Sequence, residues 1–471
     1  MGYIDYSLEP KSDIAFVDMK SFYASVECVE RGLNPLTTSL CVLSRDDHAS
    51  GLILASSPVF KKVFGRDNVG RSHELPFDIQ TRKFSFTNAV KQGLPTTRDY
   101  IQYVEYWAKR SYIVPPRMDL YIEKNIEIQK VFGDFASRDE IFPYSIDEGF
   151  LDLTSSLNYF VKDKSLSNKL KLDLVSERIQ YAIWKQTGIY STVGMSNSNP
   201  LLAKLALDNE AKKSKTMRAN WSYEDVESKV WAIPNLTDFW GIGTRTEKRL
   251  NKLGIYSIKE LANSNPDILK KEFGVMGIQL WYHANGIDES NLANPYRPKS
   301  SGIGNSQTLS RDYTDPREIE VLLRGFTKQV ARRLRKRGKK TKRVSLTLMY
   351  SRHESRMPIN VQKTIEPVSD YKVLTDEIIA LFRSKYTGGA IRRVGIRFDQ
   401  LVDESVMVFS LFDDVEKLER EERLQKAIDA IQDKYGFTAL LTADTLDPAS
   451  SVLERSRLVG GHSAGGLEGL G

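Results

Sequence analysis

Three carboxylates stand where apolar strands are expected to end. Asp18 closes the run IAFVD (residues 14–18), and Asp147 and Glu148 lie side by side in SIDEGFLDLT (residues 145–154). One acid at a strand end is commonly a helix cap or an ion-pair partner. Three brought together would repel and raise one another's pKa unless a cation neutralises them. Hard oxygen donors with no neighbouring His or Cys select Mg2+ or Mn2+. Two such ions about 3.5–4 Å apart form the clamp of in-line nucleotidyl transfer, one activating the attacking hydroxyl and the other stabilising the leaving pyrophosphate. In a straight strand Asp147 and Glu148 would point to opposite faces. Serving one site therefore requires a bend, which Gly149 permits.

Basic and aromatic residues surround these acids in sequence. Lys61 and Lys62 in SSPVFKKVFG, and Lys204 early in the helix NPLLAKLALD, are placed to hold a triphosphate unless they are ordinary solvated lysines. Phe22 and Tyr23 follow Asp18; core packing is the default for Phe22, whereas Tyr23 would lie under a nucleotide sugar. Gly241 and Gly243 in GIGTRTEKRL form the turn of a helix-hairpin-helix, whose backbone N–H groups approach a phosphate without regard to base sequence. From Arg324 to Arg343 there are eleven Lys or Arg and no acid, including Arg335, Lys336, Arg337, Lys339, Lys340, Lys342 and Arg343. Phe326, Val330 and Leu334 give that helix one apolar face, so some of these charges are simply solvated, but the block as a whole points to a polyanion.

The elements that must position these groups mix strands and helices. IAFVD, SLCVLS, GLILAS, the two halves of IFPYSIDEGFLDLT (with a tight connection at Glu148–Gly149) and STVGMS read as strands. SFYASVECVERG, capped by Ser21, reads as a helix, as do SPVFKKVFG, LYIEKNIEIQKVF with Ile122, Ile126 and Val131 on one face, residues 168–187, and Pro200 to Lys213. The β-α-β-β-α-β order implies a ferredoxin-like sheet with helices on one face. Residues 66–116 are polar and irregular, and most receive no element. Residues 231–290 read as helical, 305–410 as a second α+β segment, and 416–471 as a polar helix followed by a Gly-rich tail.

At 471 residues the chain implies several domains. Two cysteines exclude a disulfide framework and a cysteine zinc site, and five scattered histidines supply no HExxH pair. No apolar run reaches the ~18 residues of a membrane span and the N-terminus is not a signal peptide, so a cytoplasmic protein with no membrane partner is expected.

FVDMKSFYASVE, SIDEGFLDLT, TVGMSNSNPLLAKLA and FWGIGTRTEKRLNKLGI resemble, in order and spacing, the motifs of the Y-family, or lesion-bypass, DNA polymerases, and of their UmuC-like branch in particular. The resemblance spans roughly residues 12–415. It implies an α+β multidomain right-hand polymerase: a ferredoxin-like palm (1–30 and 101–230, with an insertion near 75–113), small fingers (31–100), a helical helix-hairpin-helix thumb (231–295), an α+β little finger (296–415) and a C-terminal extension (416–471). It implies two Mg2+ ions, replaceable by Mn2+, on Asp18, Asp147, Glu148 and the Met19 carbonyl. It also implies nucleotide contacts from Phe22, Lys62 and Lys204, with Tyr23 as the steric gate against a ribose 2′-OH. Expected partners are primer–template DNA and a dNTP. A sliding clamp would bind through Val408, Phe409, Ser410, Leu411 and Phe412, where Val408 stands in place of the usual Gln. A UmuD-like or RecA-type protein would meet the C-terminal extension.

Two rivals use the same residues differently. A nucleotide cyclase shares the palm and two metals but needs no helix-hairpin-helix and no basic block. A non-catalytic DNA-binding or recombination-regulating protein would keep the fold without the acids, Tyr23 and the lysines.

Overall fold

The protein is described by a computed structural model over residues 4–44, 51–65, 70–294, 301–405, 415–459 and 462–463; Val408–Phe412 lie outside these residues. Contacts divide the chain into two compact units, one of residues 1–116 and 120–295 and one of 117–119 and 296–471.

The first unit begins with β1 (Ile14–Met19) and α1 (Phe22–Val29), then β2 (Leu40–Leu43), β3 (Ile53–Ser56), α2 (Pro58–Phe64), α3 (Phe86–Lys91), α4 (Arg98–Arg110) and β4 (Tyr112–Val114). It continues with α5 (Met118–Phe132), β5 (Ile141–Pro143), β6 (Glu148–Asp152), the single turn α6 (Leu157–Phe160), α7 (Asn168–Thr187), β7 (Ser191–Ser196), α8 (Pro200–Asn209) and β8 (Arg218–Asn220). Four helices end it: α9 (Thr244–Lys252), α10 (Ile258–Ala262), α11 (Pro266–Phe273) and α12 (Val275–Ala284).

The central sheet has the order β5-β6-β1-β7-β8, with β1 antiparallel to both neighbours. Every residue of β1 but Asp18 is buried, as an apolar run flanked on both sides demands. Register places Phe16 beside Phe150 and Gly194 on one face, and Val17 beside Gly149 and Val193 on the other. A Cβ on Gly194 would come within 2.1 Å of the Ala203 carbonyl in α8, whereas one on Gly149 would lie 3.1 Å from the Phe132 ring of α5. Helices therefore cover both faces, not one as expected. Asp18 and Glu148 share the α8 face with Phe16.

Three local expectations also change. Ser21 precedes α1 with a left-handed backbone (φ 50°) and makes no side-chain cap. The buried face of α5 is Tyr121, Ile128, Val131 and Phe132, while Ile126 is half exposed. The β5–β6 connection spans residues 144–147, with Tyr144 and Ser145 N–H donating to the Glu148 carbonyl, so Gly149 lies within the paired strand.

Residues 70–114 are folded. Ser85 and Thr97 side chains cap α3 and α4, and α4 buries Val104 and Ala108. β4 joins β2 in parallel within a β3-β2-β4 sheet. Phe60, Phe64, Phe77, Phe84, Val104 and Ala108 share one core, so the boundary expected at 100/101 falls inside α4. The polar composition obscures a helix whose apolar stripe is narrow.

The second unit holds β9 (Ile303–Tyr313), α13 (Pro316–Lys336), β10 (Lys339–Tyr350), β11 (Ile359–Val368), α14 (Tyr371–Lys385), β12 (Ile391–Asp403), α15 (Val415–Tyr435) and α16 (Val452–Ser456). Val344, Leu346, Leu348, Val394, Ile396 and Phe398 pack with α13 and α14. By strand alternation Arg343, Arg393 and Arg397 take the opposite face of the β11-β10-β12-β9 sheet. The basic block is opposed in part. Arg335 makes a two-pronged ion pair with Asp429 of α15 (2.6 and 2.9 Å), Arg332 and Lys336 face Asp433 (2.6 and 3.7 Å), and Lys339 pairs with Asp403. These acids lie far along the chain, beyond the reach of a local charge count.

Gly194→Ala should lower the thermal midpoint, at a cost of about 1–3 kcal/mol or more, because backbone of α8 blocks the new methyl. Gly149→Ala should cost less, since only the Phe132 ring must yield. Equal midpoints for the two variants would contradict this packing.

Candidate active site

The three acids converge. Asp18 and Glu148 are register partners across β1 and β6. Asp147 lies just outside β6, in the turn, with its carbonyl accepting from Met19 N–H at 2.9 Å. The turn is held by Asn125, which donates to the Ile146 carbonyl at 2.6 Å, and by Ser145, whose hydroxyl donates to Asp147 Oδ1 at 2.8 Å. The break in strand geometry therefore precedes Glu148 and releases Asp147 from alternation; Gly149 is not its cause.

Lysines from α8 and the turn after it meet this cluster. Lys204 donates to Glu148 Oε1 at 3.0 Å, lies 3.3 Å from Asp208, and sits 4.5 Å over the Phe16 ring. Lys212 lies 3.7 Å from Asp18 Oδ2 and donates to Asp208 at 2.8 Å. Burial, reinforced by Glu148 and Asp147 against the pull of Lys212, pushes the Asp18 carboxyl up to about 7. Burial, then Glu148, also raises Asp147, although its Ser145 hydrogen bond works the other way. Burial opposes the Lys212 charge, but Asp18 and Asp208 outweigh it and hold its pKa above the usual lysine value.

Asp18 and Asp147, but not Glu148, open onto a cleft of about 1450 Å3. Asp18, Asp147 and Tyr23 line it, together with Lys61 and Lys62 of α2, Lys212 and Lys213, and the Trp240–Gly243 turn. Phe22 is buried yet reaches the wall. Gly241 has φ 94° and Gly243 is the N-cap residue just before α9; a Cβ on either would meet nothing within 4 Å, so the backbone of this turn is open to approach. Lys204, by contrast, is buried, does not line the cleft and is committed to two carboxylates. The lysine on the cleft wall is Lys212, eight residues further on, with Lys213 beside it. Nothing in the local sequence separates these lysines; the end of α8 at Asn209 does.

A second feature has no counterpart among the sequence expectations. The Tyr23 ring stacks on Tyr121 of α5, with centroids 4.4 Å apart and planes 14° from parallel. The Tyr121 hydroxyl donates to buried Glu27 at 2.8 Å, and Arg31 pairs with the same carboxylate. Glu27 lies one turn after Tyr23 on a helix that is otherwise apolar there, and that misplaced acid is the signal that could reveal the support.

The donor set suits a hard divalent cation: carboxylate oxygens, with burial and then like charges raising Asp18 and Asp147, and with lysine ammoniums standing as neutralising charges. Among the described residues, no three or more His, Cys, Asp or Glu side chains are gathered around one ion position. Glu148 is turned instead to Lys204, at 3.0 Å.

The folded pKa of Asp18 lies above its ordinary value of 3.8. The folded state thus holds that proton more tightly, and stability falls as pH rises from 3.8 to about 7. In metal-free protein at pH 8, Asp18→Asn should therefore be more stable than the parent by more than about 1 kcal/mol, with the difference shrinking toward pH 4. Urea unfolding at the two pH values measures it; a variant less stable at pH 8 would refute the buried repulsion.

The impB/mucB/samB family model matches residues 85–208, its C-terminal domain model residues 300–411, and its HHH motif model residues 223–255. The chain is 37% identical to the putative UV-damage repair protein UvrX of Bacillus subtilis (strain 168) over 98% of this chain and all of that one. It is 31% identical to DNA polymerase IV 2 of the same organism, over 95% and 98%. A solved Y-family DNA polymerase chimera of Dbh and Dpo4 shares the fold, with a TM-score of 0.58 over 83% of this chain and 99% of that one at 21% identity. With the acids, the cleft and the open glycine turn in place, these matches show that the chain belongs to the impB/mucB/samB family of Y-family polymerases.

Proposed function

We propose that this chain is a DNA-directed DNA polymerase of the lesion-bypass type, which joins a dNTP to a primer 3′-OH opposite damaged template in DNA repair. The observation that carries the reading is that Asp18, the register partner of Glu148, and Asp147 line a large cleft together with basic side chains and the open Gly241–Gly243 turn. Relatives named DNA polymerase IV support it.

Asp18, Asp147, Glu148 and the Met19 carbonyl would hold Mg2+, or Mn2+ in its place. Bound there, the metal supplies the positive charge that favours an ionised primer hydroxyl and a departing pyrophosphate. The chain's own groups do the rest. Lys212, Lys213 and Lys62 face the triphosphate, and Lys212 exchanges Asp18 and Asp208 for phosphate oxygens. Tyr23, held flat on Tyr121, occupies the space a ribose 2′-OH would need. The Gly241–Gly243 backbone meets the duplex phosphates. On the second unit, Arg343 and Arg393 are cations of the open sheet face that make no ion pair among the described residues, whereas Arg397 is held by Asp399 and Arg335 by Asp429. Among the described residues no helix is long and apolar enough to cross a membrane.

Primer extension with Mg2+ is the test. Asp147→Ala and Glu148→Ala should each cut extension by at least about 10³-fold, as loss of transition-state charge stabilisation does, while primer–template still binds; extension persisting in both would remove the assignment. Arg343→Ala should weaken binding to all DNA sequences alike and flatten the salt slope by about one unit for each phosphate that Arg343 neutralises. Arg335→Ala should leave that slope unchanged and lower the thermal midpoint. A steeper loss of slope for Arg335 than for Arg343 would reverse the assignment of these two cations.

A further inference from the structure

The helix α4 carries its apolar stripe inward and a second set of rings outward. Tyr103 and Tyr106, one turn apart, are 44% and 50% exposed, and Arg110 completes the same outer face at i+4 from Tyr106. The Arg110 guanidinium lies 3.6 Å over the Tyr106 ring and donates to the Tyr106 carbonyl at 3.3 Å. Tyr112, on the edge strand β4 just beyond, is 45% exposed. Two exposed rings and a guanidinium plane along one helix face are costly to leave in water and are not explained by the fold, which already buries Val104 and Ala108.

Charge says what would cover them. Residues 82–112 hold six Lys or Arg and two acids. One acid, Glu105, is turned inward and accepts from Phe84 N–H at 3.0 Å. The other, Asp99, lies one turn before Tyr103 on the same face, but Arg98, Lys109 and Arg110 of α4 have no ion pair among the described residues, so the helix still carries more positive than negative charge. A protein helix would match the rings but has no reason to carry such an excess of acids. A flexible single strand of nucleic acid supplies both halves: flat bases to stack on the rings and on the guanidinium, and a phosphate for each base.

We propose that the outer face of α4, through Tyr103, Tyr106 and Arg110, binds single-stranded DNA, and that its occupant is the unpaired template strand running beyond the cleft. The identity of that strand rests on the polymerase reading; the stacking itself does not. α4 packs on α2, whose Lys61 and Lys62 line the cleft, so both surfaces belong to one small core. Stacking is indifferent to base identity, and a face of this kind would hold a template whose bases are damaged as readily as an intact one.

The test is fluorescence anisotropy with the whole chain in EDTA, comparing a primer–template carrying a 5′ overhang of several thymidines with the same duplex ended blunt. The parent should prefer the overhang, and Tyr103→Ala with Tyr106→Ala should lose that preference by roughly tenfold to a hundredfold. Tyr103→Phe with Tyr106→Phe keeps the π faces and should retain it. Circular dichroism on each variant checks that α4 is still folded. No overhang preference in the parent, an undiminished preference in the double Ala variant, or equal loss in the Phe variant would each overturn the proposal; the second result is the one expected if the face docks a protein. Primer extension by the parent with Mg2+ is scored separately: its failure would strike the polymerase reading while the metal-free binding result still decides this one.

Discussion

Crowding four half-buried carboxylates beside the strand ends of the central sheet is the constraint on which the first unit is built. Asp18, Asp147, Glu148 and Asp208 are drawn together, and among the described residues the ion pairs that reach them come from two positive charges, Lys204 and Lys212. Opposite charges about 4 Å apart at a protein surface interact by about 4 kcal/mol, and like charges repel by as much, so the shortfall is expensive. The protein meets part of it by holding Asp18 near neutrality. A divalent cation held there would meet the rest. The same reasoning separates the two lysines. Lys204 lies under the sheet over Phe16 and is structural in its geometry, whereas Lys212 lies beyond the end of α8, on the cleft, where it can change partners.

The backbone devices that permit this cluster are small. Met19 N–H holds the Asp147 carbonyl, Asn125 holds Ile146, and Ser145 orients the Asp147 carboxylate. Each comes from a different element, so the site depends on β1, α5 and the β5–β6 turn being docked at once. Gly194 serves the same end from beneath. Without a side chain there, α8 approaches β7 closely enough for Lys204 to reach Glu148.

Much of this is legible in the sequence, and what is not legible shares one cause. The strand ends at Asp18 and Glu148 are readable because a short apolar run that meets an acid abruptly has reached either the edge of its core or a functional site. The helix caps at Ser57, Ser167 and Asn199 follow ordinary N-cap chemistry. Sequence order does not resolve which of several similar residues reaches a given point in space. Lys204 and Lys212 differ only by where a helix stops. Gly149 invites a bend that the preceding turn in fact makes. The stack of Tyr23 on Tyr121 joins residues 98 positions apart, and no periodicity connects them.

The second unit shows the same limit acting on charge. Along the chain, the stretch from Arg324 to Arg343 has no acid, and a count of neighbours makes every cation available to a polyanion. In space α15 returns Asp429 and Asp433 to that stretch, and the two-pronged pair at Arg335 is mostly shielded from water, where it is worth more than an exposed pair and is screened less by salt. Local composition therefore overstates the free positive charge of α13 and passes over that of Arg343 and Arg393 on the sheet, where Arg397 beside them is paired with Asp399 at 2.6 Å. Arg343, Arg393 and Arg397 are scattered in sequence yet gathered by strand register onto one face. A polyanion reads surfaces, and surfaces are set by alternation and by distant ion pairs; the density of lysine and arginine along a chain is a guide to such a partner's existence, not to where it binds.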